Sequence, residues 1–128
     1  MKKKLALIVL LIALWPLSAS GDVRINLGVA VPRLDVVMGI PGVQYAPEAG
    51  ANVFVYGGQY YVFEDGAWYI GPGYRGPWTA VQVVPEPVLQ VPVRYYRRAP
   101  KHWRAWNREG RPHWEEHHQF MEKHGGRG

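Results

Sequence analysis

Hydrophobic and polar positions change rhythm several times along this chain. Residues 5–15 form an unbroken apolar run behind Lys2, Lys3 and Lys4. Pro16 ends the run, and Ser18-Ala19-Ser20 places small residues ahead of a cut. A positive start, a short apolar core and a small-residue exit predict a cleaved export signal over residues 1–20. The run is shorter than the roughly 20 residues that span a bilayer. The leader is therefore expected to be removed, leaving no permanent transmembrane segment.

Weak alternation over residues 23–31 predicts an edge strand. Pro32, Pro41 and Pro47 then interrupt the chain, so residues 34–50 read as a loosely structured, extended or polyproline linker. Residues 52–84 carry the strongest pattern. β-Branched and aromatic runs at 53–56, 59–63, 67–70 and 78–84 predict four short strands. Gly57-Gly58 and Asp65-Gly66 are two-residue hairpin signals between them. Short strands with tight turns make an antiparallel meander.

A small repeat runs through this region. Gly58-Gln59-Tyr60-Tyr61 returns as Gly66-Ala67-Trp68-Tyr69. Neighbouring residues on a strand face opposite sides, so each double aromatic sends one ring to each face of the sheet. Beyond it, Pro85, Pro87 and Pro92 predict an edge segment or strap, because proline lacks the amide donor. Pro100 can open a helix over 101–109, which Gly110 interrupts; residues 114–124 form a second helical stretch, ended by Gly125-Gly126. The expected fold class is mainly β with C-terminal α: a small antiparallel aromatic meander, proline-rich linkers and a basic C-terminal helix. The divisions are a leader (1–20), an N-terminal strand and linker (21–51), the meander (52–93) and a basic tail bearing His and Trp (94–128).

Composition narrows the chemistry. A chain of 128 residues allows one small domain. It has no cysteine, which excludes disulfide scaffolds, thiolate metal sites and cysteine nucleophiles. Its only serines, Ser18 and Ser20, lie in the leader, so no serine triad is available. The adjacent carboxylates at Glu64-Asp65 and Glu115-Glu116 do not face one another as a glycosidase pair must. No enzyme is expected.

Gly71, Gly73 and Gly76 spell a G-x-G-x-x-G. The dinucleotide fingerprint needs a helix directly after it, whereas Pro77-Trp78 and a strand-like run follow here. It reads as a loop. Dense rings between Tyr60 and Trp78 would suit sugar stacking, but a thin core without disulfides also needs them.

Charge is uneven. Residues 22–92 hold three basic and six acidic side chains, and residues 93–128 hold nine basic and four acidic ones. Trp103 and Trp106 are interleaved with Arg104 and Arg108, a pattern able to meet phosphates and stack on rings. An export signal argues against nucleic acid, so the partner expected for these four residues is an envelope protein or an anionic envelope surface. Histidines offer an alternative. On a helix advancing about 100° per residue, His113, His117, Phe120, Met121 and His124 share one face. His113, His117 and His124 with the Met121 thioether would suit zinc, copper or nickel. The same face is also simply amphipathic, and it then needs no cofactor.

The segment from Tyr56-Gly57-Gly58-Gln59-Tyr60-Tyr61 through Gly66-Ala67-Trp68-Tyr69 to Tyr74-Arg75-Gly76-Pro77-Trp78 and Val84-Pro85 resembles a group of small exported bacterial envelope proteins. Their shared pattern is G-x-[WY]-Y, G-x-W-Y, then Y-x-G-P-W. The chain departs from it at Ile70-Gly71-Pro72-Gly73, and its histidine tail is individual. The resemblance implies export and architecture, not an activity. The expected role is a non-enzymatic binding or structural module of the envelope, periplasmic or outside the cell. The alternative is a periplasmic metal-binding or buffering protein.

Overall fold

Both tight turns of the meander place their two central residues at positive φ, Gly57 and Gly58 at 59° and 79°, Asp65 and Gly66 at 52° and 80°. That backbone matches the right-handed twist of the strands it joins. In the computed structural model, which describes residues 24–28 and 32–124, these turns link the three longest strands. They are β3 (Asn52–Tyr56), β4 (Gln59–Glu64) and β5 (Ala67–Gly71). Two shorter strands precede them, β1 (Asp35–Val36) and β2 (Gln44–Tyr45), and β6 (Thr79–Ala80) follows. All six pair antiparallel in chain order, so the sheet is a meander.

Register sorts the double aromatics onto opposite faces. Phe54 lies opposite Tyr61 and Phe63 opposite Trp68 on one face, while Val53 pairs with Val62 and Val62 with Tyr69 on the other. Tyr61 and Trp68 enter one core cluster, and Tyr60 and Tyr69 pack on the other, as alternation requires. Phe54 and Phe63 are 0% and 1% exposed. Burying such a side chain contributes about 1.5–3 kcal/mol.

Two layers cover the sheet. Leu27, Ala46, Ala49 and Trp78 close over Val53 and Val62. On the other face the strap lies down as a short helix, α1 (Glu86–Leu89), followed by a 3-10 turn (Val93–Tyr95), and Val84, Val88, Val91, Tyr95, Tyr96 and Trp103 seal the core. The tail thus shares its core with the meander, and its second helix, α2 (Trp114–His124), docks there through Trp114.

Three expectations change. Residues 24–28 form no strand, and 23 and 29–31 lie outside the described residues. The edge strand is instead β1, inside the expected linker. There the chain closes a hairpin, with Val37 N–H on Val43 O (3.1 Å) and Ile40 N–H on Val37 O (3.2 Å). The strand expected at 78–84 shortens to β6, because Trp78 is drawn into one core cluster and Val84 into the other. The helix expected over 101–109 is a single 3-10 turn (Lys101–Trp103). Asn107 diverts the chain: its Oδ1 accepts Glu109 N–H at 3.0 Å, and its carbonyl accepts Gly110 N–H at 3.2 Å. Among the described residues no helix is long and apolar enough to cross a membrane.

Candidate functional site

The basic segment is a loop whose ends are joined. Val93 N–H donates to Gly110 O and Arg94 N–H to Arg108 O, each at 2.9 Å, and Arg94 Nε pairs with Glu109 Oε1 at 3.0 Å. A self-packed surface loop of this kind needs filling side chains of its own. Here they are aromatic. Trp103 stacks on Phe63 of β4 (5.5 Å, 24°) and on Trp106 (5.1 Å, 22°), and Trp106 stacks on His113 (4.4 Å, 25°). The column runs from the sheet to the foot of α2.

Asn52 anchors the loop's far side. Buried at the start of β3, it donates through Nδ2 to Phe63 O (2.8 Å) and Arg98 O (3.1 Å), while its Oδ1 accepts Arg98 N–H (2.8 Å). Nothing in the sequence separates Asn52 from any other turn-flanking asparagine.

A second stack holds α2. His102 lies against His117 (5.1 Å, 16°) and against Phe120 (3.9 Å, 10°), and Phe120 against His124 (4.1 Å, 20°). His117 is 3% exposed. Its Nδ1 lies 3.1 Å from Trp103 Nε1 and 3.0 Å from His102 Nε2, and its Nε2 lies 3.2 Å from Gly66 O. An indole N–H can only donate and a carbonyl can only accept. His117 therefore carries its proton on Nε2 and is neutral. Burial lowers its pKa below the ordinary histidine value; the Gly66 carbonyl opposes that shift, and His102 and His118 add to it. His102 is lowered too, first by burial and then by His124.

The residues singled out for metal binding are spread apart. His117 spends both ring nitrogens inside the fold, His113 precedes α2 and pairs its Nδ1 with Glu116 Oε2 (3.2 Å), and His124 Nδ1 lies 2.9 Å from Phe120 O. Met121 folds over Gly66. Among the described residues no three His, Asp or Glu side chains gather to hold a metal ion. Within α2, His117, Phe120 and His124 stack on or abut rings instead.

The four residues singled out for a partner divide. Trp103 is 1% exposed and belongs to the core, a correction to its expected role, because its ring is enclosed by Phe63, Tyr96, Trp106 and Trp114. Trp106 is half-buried between Trp103 and His113. Arg104 and Arg108 are exposed, as are Arg97, Arg98, Lys101 and Arg111. None of these six has an ion pair among the described residues. Glu109 is the only carboxylate between 94 and 111, and Arg94 already holds it. The loop is thus aromatic inside and cationic outside.

Compared with known proteins, the chain matches no family model, no curated protein and no solved structure.

Proposed function

We propose that this protein is an exported, non-enzymatic binding module of the cell envelope, and that its contact surface is the cationic loop 94–111, which meets an anionic surface. The observation that supports the reading is the loop's division of labour. Its rings are spent on the core, while six exposed cations have no carboxylate partner. Near an anionic bilayer each cation contributes about 1 kcal/mol, screened by salt. The aromatic columns fix the loop's shape, so little ordering entropy opposes contact.

The test is sedimentation with vesicles. The chain from residue 21 is suitable, because each described core residue lies beyond the leader. It should pellet with phosphatidylglycerol vesicles at low salt, be released at high salt, and ignore phosphatidylcholine vesicles. Arg104→Gln with Arg108→Gln should weaken binding about thirtyfold, from roughly 1 kcal/mol per cation. Equal binding to both lipids, or to neither, overturns the reading.

A further inference from the structure

Two of the large hydrophobic side chains left in solvent sit on one short hairpin. Val36 is 64% exposed and Met38 is 69% exposed. The hairpin tip, residues 36–43, reads Val-Val-Met-Gly-Ile-Pro-Gly-Val and carries no charged or polar side chain. Pro41 is also exposed and Ile40 half-exposed. Single exposed hydrophobics are ordinary, but a continuous uncharged tip marks a contact site. Such a tip is normally costly in water, so its shape needs support, and the fold supplies it. Val37 and Val43 at its base are buried, and three backbone hydrogen bonds close it.

The tip is tied to the root of the cationic loop. Met38 N–H donates to Tyr95 Oη at 3.1 Å. Arg94 Nη2 donates to that same oxygen at 2.8 Å, and its guanidinium lies 4.2 Å from the Tyr95 ring centre. Arg94 in turn carries the backbone bond to Arg108, and Gly110, beside Arg111, closes the root on Val93. An apolar, uncharged tip is therefore tied to the root of the cationic loop, where Arg94 is held by Glu109 and Arg108 and Arg111 are exposed without an ion pair.

We infer that the 36–43 hairpin is a lipid-inserting tip, which enters the boundary between headgroups and acyl chains of an anionic bilayer while the neighbouring arginines meet the phosphates. The charge beside it selects this occupant. An apolar patch alone would fit many partners, but an apolar tip tied to the root of a loop that carries unpaired cations is the chemistry of an interfacial membrane contact. The inference rests on the anionic-surface reading and names the part of the protein that enters the lipid.

The chain has no cysteine, so Met38→Cys gives one thiol for an environment-sensitive dye. Labelled protein is mixed with phosphatidylglycerol vesicles, with and without acyl-chain nitroxides, and pelleting is measured in parallel. Pelleting with a blue-shifted, nitroxide-quenched dye supports insertion. Pelleting with a dye that stays in water overturns insertion and leaves the cationic surface standing, with a protein partner then the occupant to seek for the tip. No pelleting overturns both. Val36→Asp with Met38→Asp is the second measure. Both side chains are exposed, so the melting temperature should hold while vesicle affinity falls at least tenfold. Unchanged affinity overturns the inference.

Discussion

Trp103 donates its indole N–H to the Nδ1 of His117 across 3.1 Å, and both rings are buried. This bond joins the cationic loop to α2, and it exists only while His117 is neutral. A proton on Nδ1 would set two donors against each other, with His102 Nε2 already 3.0 Å away.

Stability should therefore depend on pH. Burial holds His117 and His102 below their ordinary value, which is about 6.5 in an unfolded chain. As pH falls through about 6.5 the unfolded chain takes up protons that the folded chain refuses, so stability falls with it. It should be flat above roughly pH 7.5 and decline from about pH 6.5 downward, ahead of the carboxylates, which titrate near 4. Urea unfolding between pH 8 and pH 5 reads this directly. His117→Gln, which keeps an N–H for Gly66 O, should flatten the decline. A wild-type curve that stays flat to pH 5 would show that the buried rings accept protons.

Asn52 should matter more than its size suggests. Asn52→Ala removes both partners of the Arg98 backbone and one from Phe63 O. Unpaired groups of this kind cost about 1–3 kcal/mol each when buried, and less where water reaches them. The expected loss is on the order of 2–4 kcal/mol, with faster hydrogen exchange at Arg98. Asn52→Asp should cost more, since it turns a carboxylate toward two carbonyls. If Asn52→Ala unfolds like wild type, the aromatic column alone holds the loop.

The fold was legible in the sequence wherever local chemistry decides it. Gly57-Gly58 and Asp65-Gly66 specify turns by φ alone, and the double aromatics specify faces by alternation. Where a partner distant in sequence decides, pattern failed. The β1–β2 hairpin forms within a proline-rich stretch because Val37 and Val43 find the core. Trp103 and Trp106 keep a helix-like spacing, but Asn107 bends the chain so that they stack instead. Helical spacing groups the histidines, yet their use depends on what opposes them. Gly66, His102 and Trp103 meet His117 there, and no periodicity reveals them. The cations of the candidate site were visible from charge alone; the burial of Trp103 was not.

Trp103 and Trp106 should respond very differently to truncation, though they are three residues apart in one basic segment. Trp103→Ala empties the middle of the column between Phe63 and Trp106. Removing a buried tryptophan costs about 3–5 kcal/mol, enough to unfold much of a small domain. Trp106→Ala opens only a half-buried layer and should cost less than half as much in a thermal melt. Comparable losses would place Trp106 in the core as well.

Gly66 and Met121 form a contact that a double-mutant cycle can divide. A Cβ on Gly66 would lie 2.5 Å from Met121 Cε, and its φ of +80° is strained for any other residue. Gly66→Ala should therefore lose about 1–2 kcal/mol to backbone strain and more from pushing the Met121 end of α2 off the β4–β5 turn. Met121→Ala removes the obstructing thioether. In that background Gly66→Ala should cost only the backbone part, so the two changes should couple by roughly 0.5–3 kcal/mol, as contacting residues do. Simple additivity would mean that Met121 swings aside freely and does not hold α2 against the turn. Gly71→Ala is the rigid comparison. Its Cβ would meet the Trp78 ring at 2.8 Å and the Pro77 carbonyl at 3.2 Å. Neither can turn away, and Met121→Ala should not relieve that loss.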